Sequence, residues 1–514
     1  MRLLLLAAVF LSVVIGISAA TAVTVTKPNY QTKYGTLTYV DFETVSGPSS
    51  TTPGTNTAQV PSGSSGSYRV VKGSTGYLWS PQFASAATIS AGKWVFDFWA
   101  STISYVAITL TNNQGAATSN PFQEKITWNP STYASNEASN LGNIRFCLDN
   151  ACVTQLDAWL ESCTPSCSTG ATSASAWVKL TSSIAASGGT LTIYMAFLSL
   201  STSFDNNFWG EAPNLSGSYG TNDNGANVFT FYDNFAGTTL SAKWTKVTSG
   251  AGGTVTVNNG ATFAVAATTD WVFIYSATQS QPRVAESYMV SVSGDNPMLG
   301  EETSALVNGY HAMYNGYSLD WYSGAGQQEE FCPETAAGAG TCTRQAVAAF
   351  PAGIWSLRWA AAGTEGSTDG AGNSLTSADN SVGAIANYGI YVGVSDVAIG
   401  SNVVNWARMR AYPPSNVLPS ASFGGVTSTA NTLSVSIFVT DSLGAVQSTV
   451  ASAVASPSLG AAETQLSMTF AGILVSVPAN GYIEVSFAAA SATDSVYWGL
   501  GQQTNFQVPF RVLT

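Results

Sequence analysis

Short runs of alternating apolar and polar residues recur along the chain and are separated by stretches of Gly, Ser, Thr and Asn. Residues 93–99 (KWVFDFW) and 433–439 (LSVSIFV) are clear examples. Such alternation indicates half-buried β-strands. The sharpest hairpin signal has alternating arms on both sides of Asn258-Asn259-Gly260. Only residues 155–161 suggest one or two helical turns. The pattern predicts an all-β, multi-domain protein of β-sandwiches.

A chain of 514 residues is too long for one hydrophobic core, so the strand runs must belong to several domains. We place the modules at residues 23–105, 106–215, 216–424 and 425–514. The first and last modules have few strands for their length. We therefore predict that they form one split sandwich with the middle modules inserted between them, because insertion is tolerated where domain ends meet at the surface.

Residues 1–22 resemble a signal peptide, since Arg2 precedes an apolar run at 3–17 and small residues follow it. The alternative is a retained membrane anchor, for which the apolar run is short. We expect export to the extracellular cell surface, with no membrane span after signal cleavage. The expected partners are cell-surface glycans or other surface proteins. The oligomeric state is not indicated.

Six cysteines fall into three close pairs, which in an oxidising compartment indicates disulfides between neighbours. The first four allow three pairings. The alternative is zinc, which the spacing and the remote single histidine disfavour. The candidates are Cys147, Cys152, Cys163, Cys167, Cys332 and Cys342.

The motifs Leu156-Asp-Ala-Trp-Leu-Glu161, Ala176-Trp-Val-Lys179 and Val228-Phe-Thr-Phe-Tyr-Asp-Asn-Phe235 resemble a family of unknown function in secreted archaeal and bacterial surface proteins. The chain departs from that family's pattern at Tyr232-Asp-Asn234, where paired aspartates are usual. The resemblance implies that a concanavalin-like jelly roll of the laminin G or glucanase type follows the seam at residues 229–244.

Charge and acid spacing exclude some chemistry. A formal net charge of −12 argues against nucleic-acid binding, which needs a basic surface. Glucanases of the jelly-roll type carry E-x-D-x-(x)-E on one strand, and no run in 216–424 matches it. The acid pairs 301–302 and 329–330 are adjacent, so they point to opposite faces of an extended strand. We therefore expect a non-enzymatic structural or adhesive protein. The alternative is a secreted polysaccharide-degrading glycoside hydrolase.

Two kinds of binding site are predicted. Crowded aromatic residues suggest glycan binding, because sugar faces stack on exposed rings, although a sandwich core would use the same residues. These residues are Tyr310, Tyr314, Tyr317, Trp321 and Tyr322. Carboxylates and amides in loops suggest calcium, although turn capping is the alternative role. These candidates are Asp223, Asp233 and Asn234. Asn214 begins an N-x-S glycosylation sequon.

Overall fold

In the computed structural model, the described residues are 38–41, 57–59, 66–70, 75–80, 82–89, 91–200, 202–249, 252–267, 270–280, 282–293, 297–303, 309–314, 328–335, 338–339, 342–346, 351–359, 365–377, 382, 387–394, 400–428, 432–460, 464–489, 494–498 and 505–508. Strands dominate these residues, so the all-β prediction is confirmed. The predicted signal peptide lies outside them. No helix among the described residues is long and apolar enough to cross a membrane.

The chain divides into two compact units, and the first joins residues up to Thr102 with residues from 430 onward. Strands are numbered in chain order throughout. Those of the first unit are β1 (Thr38–Asp41), β2 (Thr57–Gln59), β3 (Gly66–Val70), β4 (Thr75–Trp79), β5 (Ala87–Ile89), β6 (Gly92–Thr102), β33 (Leu433–Thr440), β34 (Val446–Ala455), β35 (Thr464–Gly472), β36 (Val475–Val477), β37 (Tyr482–Ala489), β38 (Asp494–Trp498) and β39 (Asn505–Val508).

Two main sheets build this first unit. One has the order β1-β39-β6-β38-β3, with β35 also on β6, and the other has the order β2-β4-β37-β33-β34. Apolar side chains at alternate positions of the strands fill the space between the two sheets, for example Phe96, Phe98, Val435 and Phe487. Strands before 102 pair with strands after 430 in both sheets, which is the pairing that the split-sandwich hypothesis requires.

The second unit, residues 103–429, begins with a sandwich of two sheets. Their orders are β10-β9-β13-β7-β32 and β14-β11-β12-β8. A 3-10 turn at Pro130–Thr132 follows β8. The strands are β7 (Ser104–Asn112), β8 (Phe122–Trp128), β9 (Ile144–Cys147), β10 (Gln155–Leu156), β11 (Ala158–Thr164), β12 (Ser173–Leu180), β13 (Gly189–Phe197), β14 (Trp209–Glu211) and β32 (Ser420–Ser428).

A larger jelly roll occupies the rest of this unit. After the short helix α1 (Gly225–Val228), its strands are β15 (Phe231–Asp233), β16 (Trp244–Ser249), β17 (Thr254–Val257), β18 (Ala261–Val265), β19 (Trp271–Ser276), β20 (Gln279–Ser280), β21 (Arg283–Ser293), β22 (Pro297–Glu302), β23 (Gly309–Tyr314), β24 (Gln328–Thr335), β25 (Gly338–Ala339), β26 (Thr343–Ala346), β27 (Gly353–Trp359), β28 (Glu365–Thr368), β29 (Ser374–Ser377), β30 (Asn387–Val394) and β31 (Gly400–Ala411). A 3-10 turn at Pro414–Asn416 leads on to β32.

The jelly roll has two large sheets, with eight and nine described strands. The eight-stranded sheet runs β17-β18-β31-β21-β27-β28-β29 and the nine-stranded sheet runs β16-β19-β30-β22-β23-β24-β25. Buried residues such as Phe263, Leu299, Trp355 and Val392 fill the core between them. The predicted hairpin joins β17 and β18, and Asn259 and Gly260 take the positive φ values of 53° and 124° that such a turn needs.

Two details differ from the sequence-based expectations. Residues 155–161 form β10 and the start of β11 rather than helical turns. Both faces of β11 are buried at its start, so its apolar residues show no period that distinguishes a strand from a helix. After the jelly roll, β32 pairs with β7, so the chain returns to the first sandwich. The boundary expected at residue 424 therefore falls inside this strand.

Candidate functional site

A buried group of charges lies where the first sandwich packs against the jelly roll. Arg408 on β31 bonds Glu161 on β11 through Nη2 and Glu286 on β21 through Nε, at 2.5 and 2.6 Å. Arg410 also bonds Glu286, at 2.9 Å, and Lys125 bonds Glu161, at 2.7 Å. All five side chains come from strands, which fixes their positions. We call these five residues the junction charges.

Aromatic rings enclose the junction charges. The guanidinium carbon of Arg408 lies 4.4–5.2 Å from four ring centroids, within the range of a cation–π contact. The four rings belong to Trp159, Trp177, Phe229 and Trp406. Trp177 also donates a 2.8 Å hydrogen bond from Nε1 to Glu161. The enclosure buries Glu161, Glu286 and Arg408, whereas the Lys125 side chain stays 35% exposed.

Mutual attraction keeps Glu161, Glu286 and Arg408 ionised. Burial raises the pKa of Glu161, but the charges of Arg408 and Lys125 outweigh it and hold this pKa at about 2. In Glu286 burial is likewise outweighed by Arg408 and Arg410, so its pKa is lowered. The pKa of Arg408 is raised because its two carboxylate partners outweigh its own desolvation. The cluster therefore acts as a fixed structural connection.

The aromatic side chains of the seam at residues 229–244 point in turn toward the first sandwich and toward the jelly roll. Phe229 and Tyr232 pack with Trp159 and Trp406 at the junction, whereas Phe231, Phe235 and Trp244 belong to the jelly-roll core. Trp244 Nε1 donates a 2.7 Å hydrogen bond to Asp233. The seam thus supplies rings to both cores.

The three predicted calcium ligands have other partners in the structure. Asp223 accepts four hydrogen bonds, from Trp159 and the Gly225 amide on Oδ1 and from Tyr232 and Asn234 on Oδ2. Asp233 accepts from the Phe235 amide and from Trp244. Burial raises the pKa of Asp223 although its four donors favour the charged form. Four donors use the lone pairs that a cation would need.

One further group of metal-ligating residues comprises Glu330, Cys332 and Cys342. Cys332 and Cys342 are joined in a disulfide, so neither sulfur is a thiolate ligand. The other close pairs are also joined, Cys147 to Cys152 and Cys163 to Cys167. Three disulfides fit an extracellular protein.

The predicted glycan-binding residues fall on and after β23. Tyr310 and Tyr314 are positions of this strand, paired to Pro333 and Glu329 of β24. Tyr317, Trp321 and Tyr322 lie outside the described residues. The glycan prediction for this group therefore stays a prediction.

A second aromatic group lies on the face of the nine-stranded sheet opposite the jelly-roll core. Trp271 stacks on Phe273 with centroids 5.0 Å apart, and Phe273 contacts Tyr391 at 4.4 Å. Met298 and the Cys332–Cys342 disulfide complete the group. Trp271 is partly exposed, whereas Phe273 and Tyr391 are buried. We call this group the outer aromatic face.

Glu330 on β24 lies beside the outer aromatic face. Arg344 of β26 bonds it at 2.8 Å, and the disulfide sulfur of Cys332 is 3.8 Å away. Its neighbour Glu329 points the other way and accepts hydrogen bonds from Ser367 and Gln345. Burial raises the pKa of Glu329. The adjacent acids thus lie on opposite faces, as alternation requires.

The sequence from Glu330 to Glu334 reads E-F-C-P-E. It keeps the outer acids of the glucanase pattern and replaces the middle aspartate with Cys332. This run does not match the glucanase pattern of three acids, so its spacing alone gives no signal in the sequence. Both glutamates are positions of β24, paired to Met313 and Gly309 of β23.

The sequon residue Asn214 is exposed. The hydroxyl of Ser216 in the same sequon donates a 2.8 Å hydrogen bond to Glu211 and accepts one from the Asn222 amide. The asparagine is therefore accessible, and its turn is held in place.

Comparisons with known proteins give limited matches. No family model matches the chain, and the family of unknown function is not confirmed. Over 132 residues the chain is 38% identical to uncharacterized protein 562 of Sulfolobus islandicus rod-shaped virus 1. That match covers 26% of this chain and 22% of the viral protein, so it spans about a fifth of the relative's length.

The similar solved structures include carbohydrate-active enzymes. β-Agarase A in complex with oligoagarose has a TM-score of 0.27 and 11% identity and covers 35% of this chain and 90% of its own. Crh5 transglycosylase without ligand has a TM-score of 0.26 and 17% identity, covering 36% of this chain and 85% of its own. BuGH16Bwt has a TM-score of 0.26 and 10% identity, covering 35% of this chain and 90% of its own.

These comparisons correct one expectation. The similar structures are glycoside hydrolases and transglycosylases, so the prediction of a non-enzymatic protein is wrong. At 10–17% sequence identity, the likeness of these structures to this chain bears on the fold alone.

Proposed function

We propose that the jelly roll binds a polysaccharide across its outer aromatic face and cleaves or transfers it. The observation that carries the proposal is the position of Glu330, a buried acid of an E-x-C-x-E run that is bonded to Arg344 and lies 3.8 Å from Cys332 of the outer aromatic face. Aromatic rings hold the apolar faces of sugars, and a carboxylate next to them reaches the glycosidic bond.

The chemistry needs two carboxyl groups with different roles. In a retaining reaction one carboxylate attacks the anomeric carbon while a second carboxylic acid protonates the departing oxygen. Water or another sugar hydroxyl then displaces the first carboxylate and returns a proton to the second. Glu330 suits the first role because Arg344 holds its carboxylate in place through a 2.8 Å ion pair. Glu334 is assigned the second role by its spacing in the sequence.

Glu329 and Glu330 offer a matched pair of variants for the test. The full chain is incubated with agarose, β-glucans and N-acetylglucosamine polymers, and new reducing ends and chain-length changes are measured. We expect Glu330→Gln to reduce the rate by at least about 10³-fold, as losses of a nucleophile do. Glu329→Gln, on the other face, should retain most of the activity.

Binding is tested separately with Trp271→Ala. This variant removes the partly exposed ring of the outer aromatic face, and we expect the affinity for the same polysaccharides to fall by about tenfold or more. Binding without any product from the folded native chain would refute the catalytic part. The absence of both binding and product across the panel would refute the whole proposal.

A further inference from the structure

Among the described residues, several buried glutamates have no bonded cation, and three of them also lack a full set of neutral hydrogen-bond donors. Glu124 on β8, Glu137 between β8 and β9, and Glu484 on β37 are 0%, 2% and 3% exposed. By contrast, Glu161 and Glu286 are equally buried and bond arginine or lysine. A buried carboxylate without a counter-ion is costly, and the group avoids that cost by keeping its proton.

Glu124 is the clearest case. It shares a face of β8 with Phe122 and Ile126, which belong to the core of the first sandwich. Neither of its oxygens has a hydrogen-bond partner, although the backbone amide of Lys125 lies close enough to favour the charged form. The charge of Arg410 acts on Glu124, but the guanidinium of Arg410 bonds Glu286 instead. The ammonium of Lys125 bonds Glu161 on the other face of the strand.

Glu137 and Glu484 are surrounded by aromatic groups. Glu137 accepts a 2.9 Å hydrogen bond from Trp128 on one oxygen, its other oxygen has no partner, and Tyr133 is the titratable group beside it. Glu484 is directly opposite Trp79 of β4, and Tyr77 is the titratable group that faces it. No described cation bonds either carboxyl.

We propose that both units are built for acidic surroundings, where these carboxyl groups keep their protons, and that the fold weakens as they ionise. Neutral carboxyls are tolerated inside a sandwich, whereas each ionisation places an uncompensated charge there. The junction charges set the lower limit of the range, since Glu161 must stay ionised to hold Arg408.

The direction of the pH dependence follows from the pKa values. Burial raises the pKa of Glu124 from 4.5 to about 9 and those of Glu137 and Glu484 from 4.5 to about 7. Each group favours the folded state fully below its unfolded pKa, and this contribution is lost as the pH rises through the folded value. For Glu161, held at about 2, stability is lost only as the pH falls toward that value. The most stable range is therefore near pH 4.

The experiment compares two isosteric variants, Glu124→Gln and Glu161→Gln, by thermal unfolding of the full chain at pH 4 and pH 8. We expect the midpoint of the second unit's transition in the native chain to fall by about 5 °C or more between pH 4 and pH 8. Glu124→Gln should match the native chain at pH 4 and exceed it at pH 8. Glu161→Gln should unfold at lower temperature at both pH values, because it removes a partner of Arg408.

Two results would overturn the proposal. One is a native midpoint that is equal or higher at pH 8, and the other is a Glu124→Gln chain with the same loss between pH 4 and pH 8 as the native chain. Glu484→Gln repeats the comparison in the other unit. It keeps the test decisive if the first variant does not fold.

Discussion

Arg408 is held between two carboxylates and four aromatic rings in the interior of the second unit. Replacing it with Met keeps a similar apolar length but leaves Glu161 and Glu286 without this cation. Breaking a buried pair from one side costs about 3–5 kcal/mol, because the partner charge stays buried. We expect Arg408→Met to lower the free energy of unfolding by this amount in urea titrations. Lys93→Met, at an exposed position, should change it by less than about 0.5 kcal/mol.

Asp223 provides a second prediction at the residue scale. Because its oxygens already accept four hydrogen bonds, added calcium should leave the midpoint of thermal unfolding unchanged, and a chelator should not lower it. Asp223→Asn replaces one accepting oxygen with an NH₂ group that faces the donors of the neighbouring residues. We expect this variant to lower the free energy of unfolding by about 2 kcal/mol. A calcium-dependent rise in the native midpoint would contradict this role for Asp223.

At the scale of single elements, the success of sequence reasoning depends on how local the signal is. The Asn259-Gly260 hairpin and the pairing of neighbouring cysteines were predictable because their residues are close in the chain. The Arg408–Glu161 pair was not, because 247 residues separate its members. Residues 155–161 gave no clear period since both faces of β11 are buried. The acid run of β24 was missed because Cys332 occupies its middle.

The disulfide between Cys332 and Cys342 fastens the strand that carries Glu330 to the start of β26. Its removal should destabilise the jelly roll more than removal of Cys163–Cys167 destabilises the first sandwich. The sequence separations are 10 and 4, and loop entropy alone predicts a difference of about 0.8 kcal/mol. The paired Cys→Ser variants are compared by urea unfolding. Equal losses would show that chain entropy does not set their contribution.

At the scale of the whole molecule, two units share one chain but have separate cores. We expect calorimetry of the full chain to resolve two unfolding transitions, because separate cores unfold separately. Residues 103–429 expressed alone should fold and reproduce one of these transitions with the same midpoint. A shortened chain that is unfolded would show that the second unit depends on the first.

The junction charges have a consequence for how this protein can be rearranged. Lys125 and Glu161 are contributed by one sandwich, and Glu286, Arg408 and Arg410 by the other. Recombination that moved the jelly roll into a new host would leave two arginines facing one carboxylate, and the first sandwich alone would lose the Arg408 partner of Glu161. The two sandwiches are therefore expected to be inherited together as a single cassette, even though each resembles an independent module.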